Sequence, residues 1–284
     1  MEFFDLHCDT PYRCFSENKE FWKNDFDISF EKGKCFNKWQ QLFAIWVREE
    51  TPSPFAFYKA VLSDFKAKLK ECENENFTPW FSIEGGSVIE EITLLDEIKK
   101  DGIKAITLTW NGKNKIASGA YEKGGLTAFG EAVISKMNNL KIATDLSHLN
   151  EESFFDAVEV SQFPIATHSC CKAVFDHKRN LSEKAILTIA EKGGIIGVCP
   201  YPEFSGTDSF DAVYKNVSYL LSLGLEKNIA FGSDFDGAQM SDNFKNISYV
   251  PNLKAFLIEK GIKSEVCDDI FYFNALNFFK TFDK

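Results

Sequence analysis

The sequence predicts a (β/α)8 barrel, the TIM-barrel fold within the α/β class, with residues 1–284 forming one domain. Three observations predict it. Eight short runs rich in Phe, Ile, Val and Thr recur along the chain. Each run is followed by a longer segment of helical character. No Pro-, Ser- or Gly-rich linker and no short repeat divides the chain, whose 284 residues suit a fold that commonly takes about 250. An open doubly wound sheet is the alternative that the same alternation allows.

The eight runs lie at residues 3–9, 42–47, 80–84, 105–110, 142–147, 165–168, 194–199 and 229–234. They are continuously apolar rather than alternating, as parallel strands buried on both faces are. Helices are expected at 55–70, after a Ser-Pro start, and at 88–100, ended by Asp101 and Gly102. Apolar residues at helical spacing place another at 127–140. Ser182 and Glu183 open a helix at 184–192, which Gly193 and Gly194 stop. Helical stretches at 210–223, 253–260 and 263–280 finish the chain.

Composition excludes several functions. The chain has 32 basic and 42 acidic residues, and the resulting charge of −10 argues against non-specific binding to nucleic acid or to an anionic membrane. No apolar run approaches the length of about 20 residues that a membrane span needs. The sequence MEFFDLHCDT lacks the basic-then-apolar pattern of a signal peptide. Eight Cys occur at irregular spacing without a CxxC pair, which reads as reduced thiols in a cytoplasmic protein. A vicinal disulfide between Cys170 and Cys171 is disfavoured.

The chemistry-bearing residues collect at the ends of the expected strands. His7 and Asp9 close the first, Glu84 the third, His168 the sixth and Asp234 the eighth, and His148 follows the fifth. In a barrel these ends converge on one face, where active sites are built. Imidazole and carboxylate are the donors that hold divalent metals such as zinc. Three His and two or three carboxylates at one mouth could hold two ions with a shared carboxylate. A hydroxide bridging such ions would be a strong nucleophile at neutral pH. Residues two apart on a strand point to the same side, so His7 and Asp9 can grip one ion while Cys8 points away.

Each residue taken alone also has a plain structural reading. Glu84, in SIEGG, fits a helix-capping carboxylate, and Asp234 and Asp236, in GSDFDG, fit a strand-to-loop turn. His177, in FDHKRN, reads as a solvated residue outside the site. Only three of the 32 basic residues are Arg: Arg13, Arg48 and Arg179. A Lys-biased chain that keeps Arg179 either uses its planar fork to grip a carboxylate or carries it by chance in a surface loop.

The motifs FDLHCDTP, SIEGG, LTWN, GLTAFGEAVISKMN, DLSH, PIATHS, KRNL and GSDFDG follow one another from residue 3 to residue 237. Together they resemble the membrane (renal) dipeptidase family of zinc peptidases, the M19 type, in a compact bacterial form. The resemblance implies a barrel of the metal-dependent hydrolase type, acting as a single catalytic domain with two zinc ions. It implies that His7 and Asp9 bind one zinc, that His148 and His168 bind the other, and that Glu84 bridges both. Arg179 would grip the C-terminal carboxylate of a dipeptide, and Asp234 would be the acid/base that protonates the leaving amine. The implied substrates are small dipeptides, including those with a D-residue at the C-terminal position. Family members are often dimers, so a homodimer is admitted, although no interface is legible.

One motif departs from the family. Its fourth-strand motif often reads LTH, and that His contacts the developing oxyanion; here Trp110 stands in its place. An indole donates one hydrogen bond and cannot titrate. Asn111 is a candidate substitute donor, and Tyr201 is placed with Trp110 and Asn111 in the substrate-binding wall. Two other classes stay open: another amidohydrolase-type metal-dependent hydrolysis, or a catalytically impaired barrel that binds metal or peptide. His7-Cys8-Asp9 with a Glu, rather than H-x-H with a carboxylated Lys, favours the dipeptidase branch.

Overall fold

A computed structural model of the chain describes residues 1–72 and 74–283. Its strands are β1 (Glu2–Cys8), β2 (Lys38–Trp46), β3 (Phe77–Glu84), β4 (Ile103–Thr107), β5 (Ala143–Asp145), β6 (Pro164–Ser169), β7 (Ile195–Val198) and β8 (Ile229–Phe231). All are parallel and neighbour one another in chain order. β1 pairs with β8 through Asp5 and Phe231, which closes the barrel and excludes the open sheet. The eight expected strands are therefore all present.

The expected helices over 55–70, 127–140, 184–192, 210–223 and 253–260 form, with ends shifted by a few residues. Their starts are fixed locally: Thr127, Ser182 and Asp208 each accept a backbone N–H of the first turn through a side-chain oxygen. Two segments differ from expectation. Only Leu94–Lys100 of the 88–100 segment is α-helical. The β-branched residues Val88, Ile89, Ile92 and Thr93 around adjacent Glu90 and Glu91 are poor helix formers. The final segment splits into Ser264–Asp268, a π-helical turn Asp269–Phe273 and Asn274–Lys280. That turn presents the Asn274 amide to the Glu226 and Ile229 carbonyls below β8. Helices at Thr10–Ser16 and Glu151–Val160 were not expected.

The core has two layers. Phe3, Cys8 and Phe43 belong to the large layer between strands and helices, so Cys8 does point away from the mouth. Inside the barrel, Phe4, Leu6, Leu42, Ile165 and Ile195 meet Phe278, Phe279 and Phe282 of the C-terminal segment, which plugs the lower end. All eight cysteines are free. No helix among the described residues is long and apolar enough to cross a membrane.

The strands are not uniform at their upper ends. Between Asp5 and Cys8, β1 advances three residues while its partner advances two, from Gln41 to Phe43. Between Ala166 and Ser169, β6 does the same against Ile196 and Val198 of β7. Each irregularity is a bulge, which re-aims a side chain. His7 sits in the first and His168 in the second.

Candidate metal centre and active site

The strand ends bring the expected residues together. Glu84 is the last residue of β3 and lies at the centre of the cluster. One of its oxygens, Oε1, lies 2.8 Å from His148 Nε2 and 3.6 Å from His168 Nε2. The other, Oε2, lies 3.7 Å from His7 Nε2. His7 Nε2 in turn lies 3.6 Å from Asp9 Oδ2 and 3.8 Å from Asp234 Oδ1. Glu84 thus turns one oxygen toward His7, which itself neighbours Asp9, and the other toward His148 and His168. It is no helix cap.

Hydrogen bonds fix which imidazole nitrogens face the cluster. Thr167 Oγ1 donates to Asp145 Oδ2 at 2.6 Å, so at 2.9 Å it accepts from the Nδ1–H of His168. His168 Nε2 is then a bare lone pair, and it accepts from Arg179 Nη2 at 2.9 Å. His148 Nδ1 donates to Asn111 Oδ1 at 3.0 Å, which leaves its Nε2 bare as well. These two bare nitrogens are only 2.8 Å apart. His7 Nε2 and Asp9 Oδ1 are buried without hydrogen-bond partners. Electron pairs and carboxylates packed this way repel unless a cation lies among them, so the donor set fits divalent metal. His7, Glu84 and His168 offer donor atoms within 4.8 Å of one another, and so do His7, Asp9 and Asp234.

The field inside the cluster is uneven. Burial and then the Arg179 charge pull His148 down to about 4. Burial, then the charges of His7 and His148, holds His168 well below its ordinary value. Burial opposes protonation of His7 too, but the Glu84 and Asp9 carboxylates outweigh it and raise His7 well above the usual range. Asp234 is pushed far above the ordinary carboxylate range, by burial first and by Asp9 and Glu84 against the opposing pull of His7 and Arg179. Burial and the Glu84 charge raise Asp9 to about 6.

The backbone is strained at the same place. His148, Asp234 and Asp236 all adopt left-handed φ, at 71°, 58° and 68°. Such conformations cost of order 1 kcal/mol or more for a residue with a side chain. Gly237 follows because a Cβ there would overlap Asp9 Oδ2 and stand 2.7 Å from Asp234 Oδ1. Below the cluster, Asp5 locks β1 to the chain after β8, accepting from Ser233 Oγ at 2.6 Å and Gln41 Nε2 at 2.9 Å.

Above the cluster lies a cavity of about 380 Å³. Asp9, Glu84, Trp110, Asn111, His148, Arg179, Tyr201 and Asp234 line it; His7 and His168 lie buried beneath. Trp110 stands edge-on to Trp46 at 5.2 Å between ring centres. Asn111 commits its carbonyl to His148 and keeps only its N–H groups for a ligand. Sequence reasoning missed part of the wall: Tyr12, Trp46, Arg48, Arg13 and Asp236 all line it. His177, read as solvated, is half-buried in the same wall and accepts the Arg179 backbone N–H at Nδ1. The three arginines of so lysine-rich a chain were the available signal for Arg13 and Arg48.

A closed barrel with an imidazole–carboxylate cluster at its C-terminal mouth defines the class, a metal-dependent hydrolase barrel. The membrane dipeptidase model, peptidase family M19, matches residues 60–284, and the chain belongs to that family of peptide-bond hydrolases. An uncharacterised Klebsiella pneumoniae protein encoded in the pqqA 5′ region is 31% identical over 195 residues, covering 63% of this chain and 72% of that one. An uncharacterised dipeptidase of Schizosaccharomyces pombe is 28% identical over 233 residues, 78% of this chain but 57% of the relative. A metallopeptidase from Rhodobacter sphaeroides, solved with a phosphinate mimic of L-Ala-D-Ala, superposes with a TM-score of 0.85 over 99% of both chains. At 20% identity that likeness shows the fold.

Proposed function

We propose that the chain is a zinc-dependent dipeptidase, working as one catalytic domain, that hydrolyses small dipeptides, including L-D dipeptides. The observation that carries this reading is the reach of Glu84 under one cavity, where Oε1 lies beside His148 and His168 and Oε2 beside His7. His7 and Asp9 would hold one ion, His148 and His168 the other, and Glu84 both. Two such ions would polarise the scissile carbonyl and supply hydroxide from water near neutral pH.

The remaining work falls to side chains. Arg179 is buried at the cavity floor; Nη2 is engaged by His168 but Nε is unpartnered, so its remaining N–H groups can receive the C-terminal carboxylate of a dipeptide. A carboxylate clamp this near the reacting centre leaves room for two residues and excludes a protein chain. Asp234 sits where a proton must move, and its raised affinity lets it hold one and pass it to the leaving nitrogen. Trp110 in place of a titratable His leaves the Asn111 N–H groups as candidate donors beside His148. The R. sphaeroides neighbour was solved with an L-Ala-D-Ala mimic, which is in keeping with substrates that carry a D-residue at the C-terminal position.

The test is hydrolysis of L-Ala-L-Ala and L-Ala-D-Ala, with and without chelator, and with metal counted on the same sample. Chelator-sensitive turnover at about two zinc ions per chain is the expected result. Two bound ions with no turnover on any dipeptide would leave the barrel with a different hydrolytic substrate. No bound metal would refute the reading of the site.

A further inference from the structure

All three arginines line the active-site cavity, and no lysine among the described residues does. Their situations differ. Arg179 lies on the floor against His168. Arg13 is committed, paired with Glu17 at 2.9 Å and laid over the Phe26 ring. Arg48 has no carboxylate partner among the described residues; its guanidinium stands 5.1 Å above the Trp46 ring. Stacking on an indole holds a guanidinium in place while leaving its N–H fork free, which a lysine ammonium does less well.

Position gives that free fork a meaning. Arg48 follows β2, and Arg179 follows β6. In a closed ring of eight strands these two are four apart, on opposite sides of the mouth. If Arg179 takes the C-terminal carboxylate and the scissile carbonyl lies over Glu84, the side chain of the N-terminal residue heads for the β2 wall. That wall is Trp46, packed edge-on with Tyr12 and Trp110, with Arg48 above it. A side chain with a short aliphatic stem and a negative end suits this surface.

We propose that Arg48 is a specificity determinant that selects dipeptides with an acidic N-terminal residue, Glu or Asp. The stem lies against Trp46 and Trp110, and the carboxylate is received by the Arg48 fork. This rests on the dipeptidase reading above. Arg48 is exposed at the mouth, so water screens the pair and the gain is smaller than for a buried one.

The test measures kcat/KM for Glu-Ala, Gln-Ala, Lys-Ala and Ala-Ala on the zinc-loaded protein and on R48Q and R48E. Gln-Ala has the shape of Glu-Ala without its charge, so the ratio of the two reads the charge alone within one preparation. A preference for Glu-Ala of about tenfold is expected in the parent chain. In R48Q the ratio should fall to near one, and in R48E Lys-Ala should overtake Glu-Ala. Equal rates on Glu-Ala and Gln-Ala in the parent, or a ratio unchanged in R48Q, would overturn the assignment while leaving the dipeptidase intact. Failure on all four peptides, each in its L-L and L-D form, would instead refute the dipeptidase reading.

Discussion

The two ends of the barrel are made from the same eight strands, and they solve opposite problems. At the lower end Phe4 stacks between Trp80 and Phe279, with ring centres 6.0 and 5.7 Å away, and the C-terminal segment seals the interior with Phe. That end is apolar. At the upper end a few residues further along the strands, bare imidazole nitrogens face carboxylates, three residues hold left-handed φ, and buried donors and acceptors lack partners. The lower end supplies stability that the upper end consumes, because unpaired buried polar groups cost of order 1–3 kcal/mol each. What separates the ends is also what separates fold from function in this chain.

Removing the hub of the upper end should have the largest effect. Glu84→Ala takes away the one carboxylate that faces both donor sets. Turnover should fall by about a thousandfold or more and bound metal should be lost with it. Metal analysis and dipeptide assays on one sample check this; a variant that keeps both ions would break the bridging assignment. The mirror experiment is Phe4→Ala at the lower end. It opens a cavity in a fully buried ring cluster and should cost about 3–5 kcal/mol in urea unfolding. Metal content of the folded fraction should not change, because no donor touches Phe4.

The same contrast explains what was legible in the sequence. The lower end and strand frame could be read because parallel strands buried on both faces appear as plain apolar runs. The donors could be read because barrel strand ends converge. The helix Glu151–Val160 could not: its stripe is short, and Phe154, Phe155, Val158 and Val160 suit a strand as well as a helix. The bulges at His7 and His168 were invisible, since residue parity along a strand says nothing about an inserted residue. Arg48 and His177 reach the cavity from loops, whose paths no periodicity records.

A smaller effect tests how the upper end is held. Thr167 links Asp145 to His168 and also lies 3.3 Å from His7 Nδ1. Such outer partners fix the tautomer of a metal-binding imidazole, and losing one typically costs about 10–100-fold in metal affinity. Thr167→Val should weaken zinc by that amount in a chelator competition, and Thr167→Ser, which keeps the hydroxyl, should restore it. If Ser and Val behave alike, the hydroxyl orients nothing and Thr167 is only packing.

The smallest effect lies at the rim, where two acids face each other. Asp236 accepts from Thr10 Oγ1 and from the Asp27 backbone N–H, while Asp27 accepts from the Asp236 N–H. Burial, and then the Asp27 charge, raises Asp236 from 3.8 to about 7; Arg13 pulls the other way, and Lys32 lies near. The native chain therefore holds a proton on Asp236 through a window in which the unfolded chain has released it. The stability this gives is complete below about pH 4 and is lost as pH rises toward 7, at no more than about 1.4 kcal/mol per pH unit. Asp236→Asn cannot ionise, so subtracting its urea stability from that of the parent at each pH cancels the metal cluster. The difference should drift against the parent from pH 5 to pH 8. A flat difference would mean that Asp236 is ionised throughout, and that the rim is satisfied where the cluster beneath it is not.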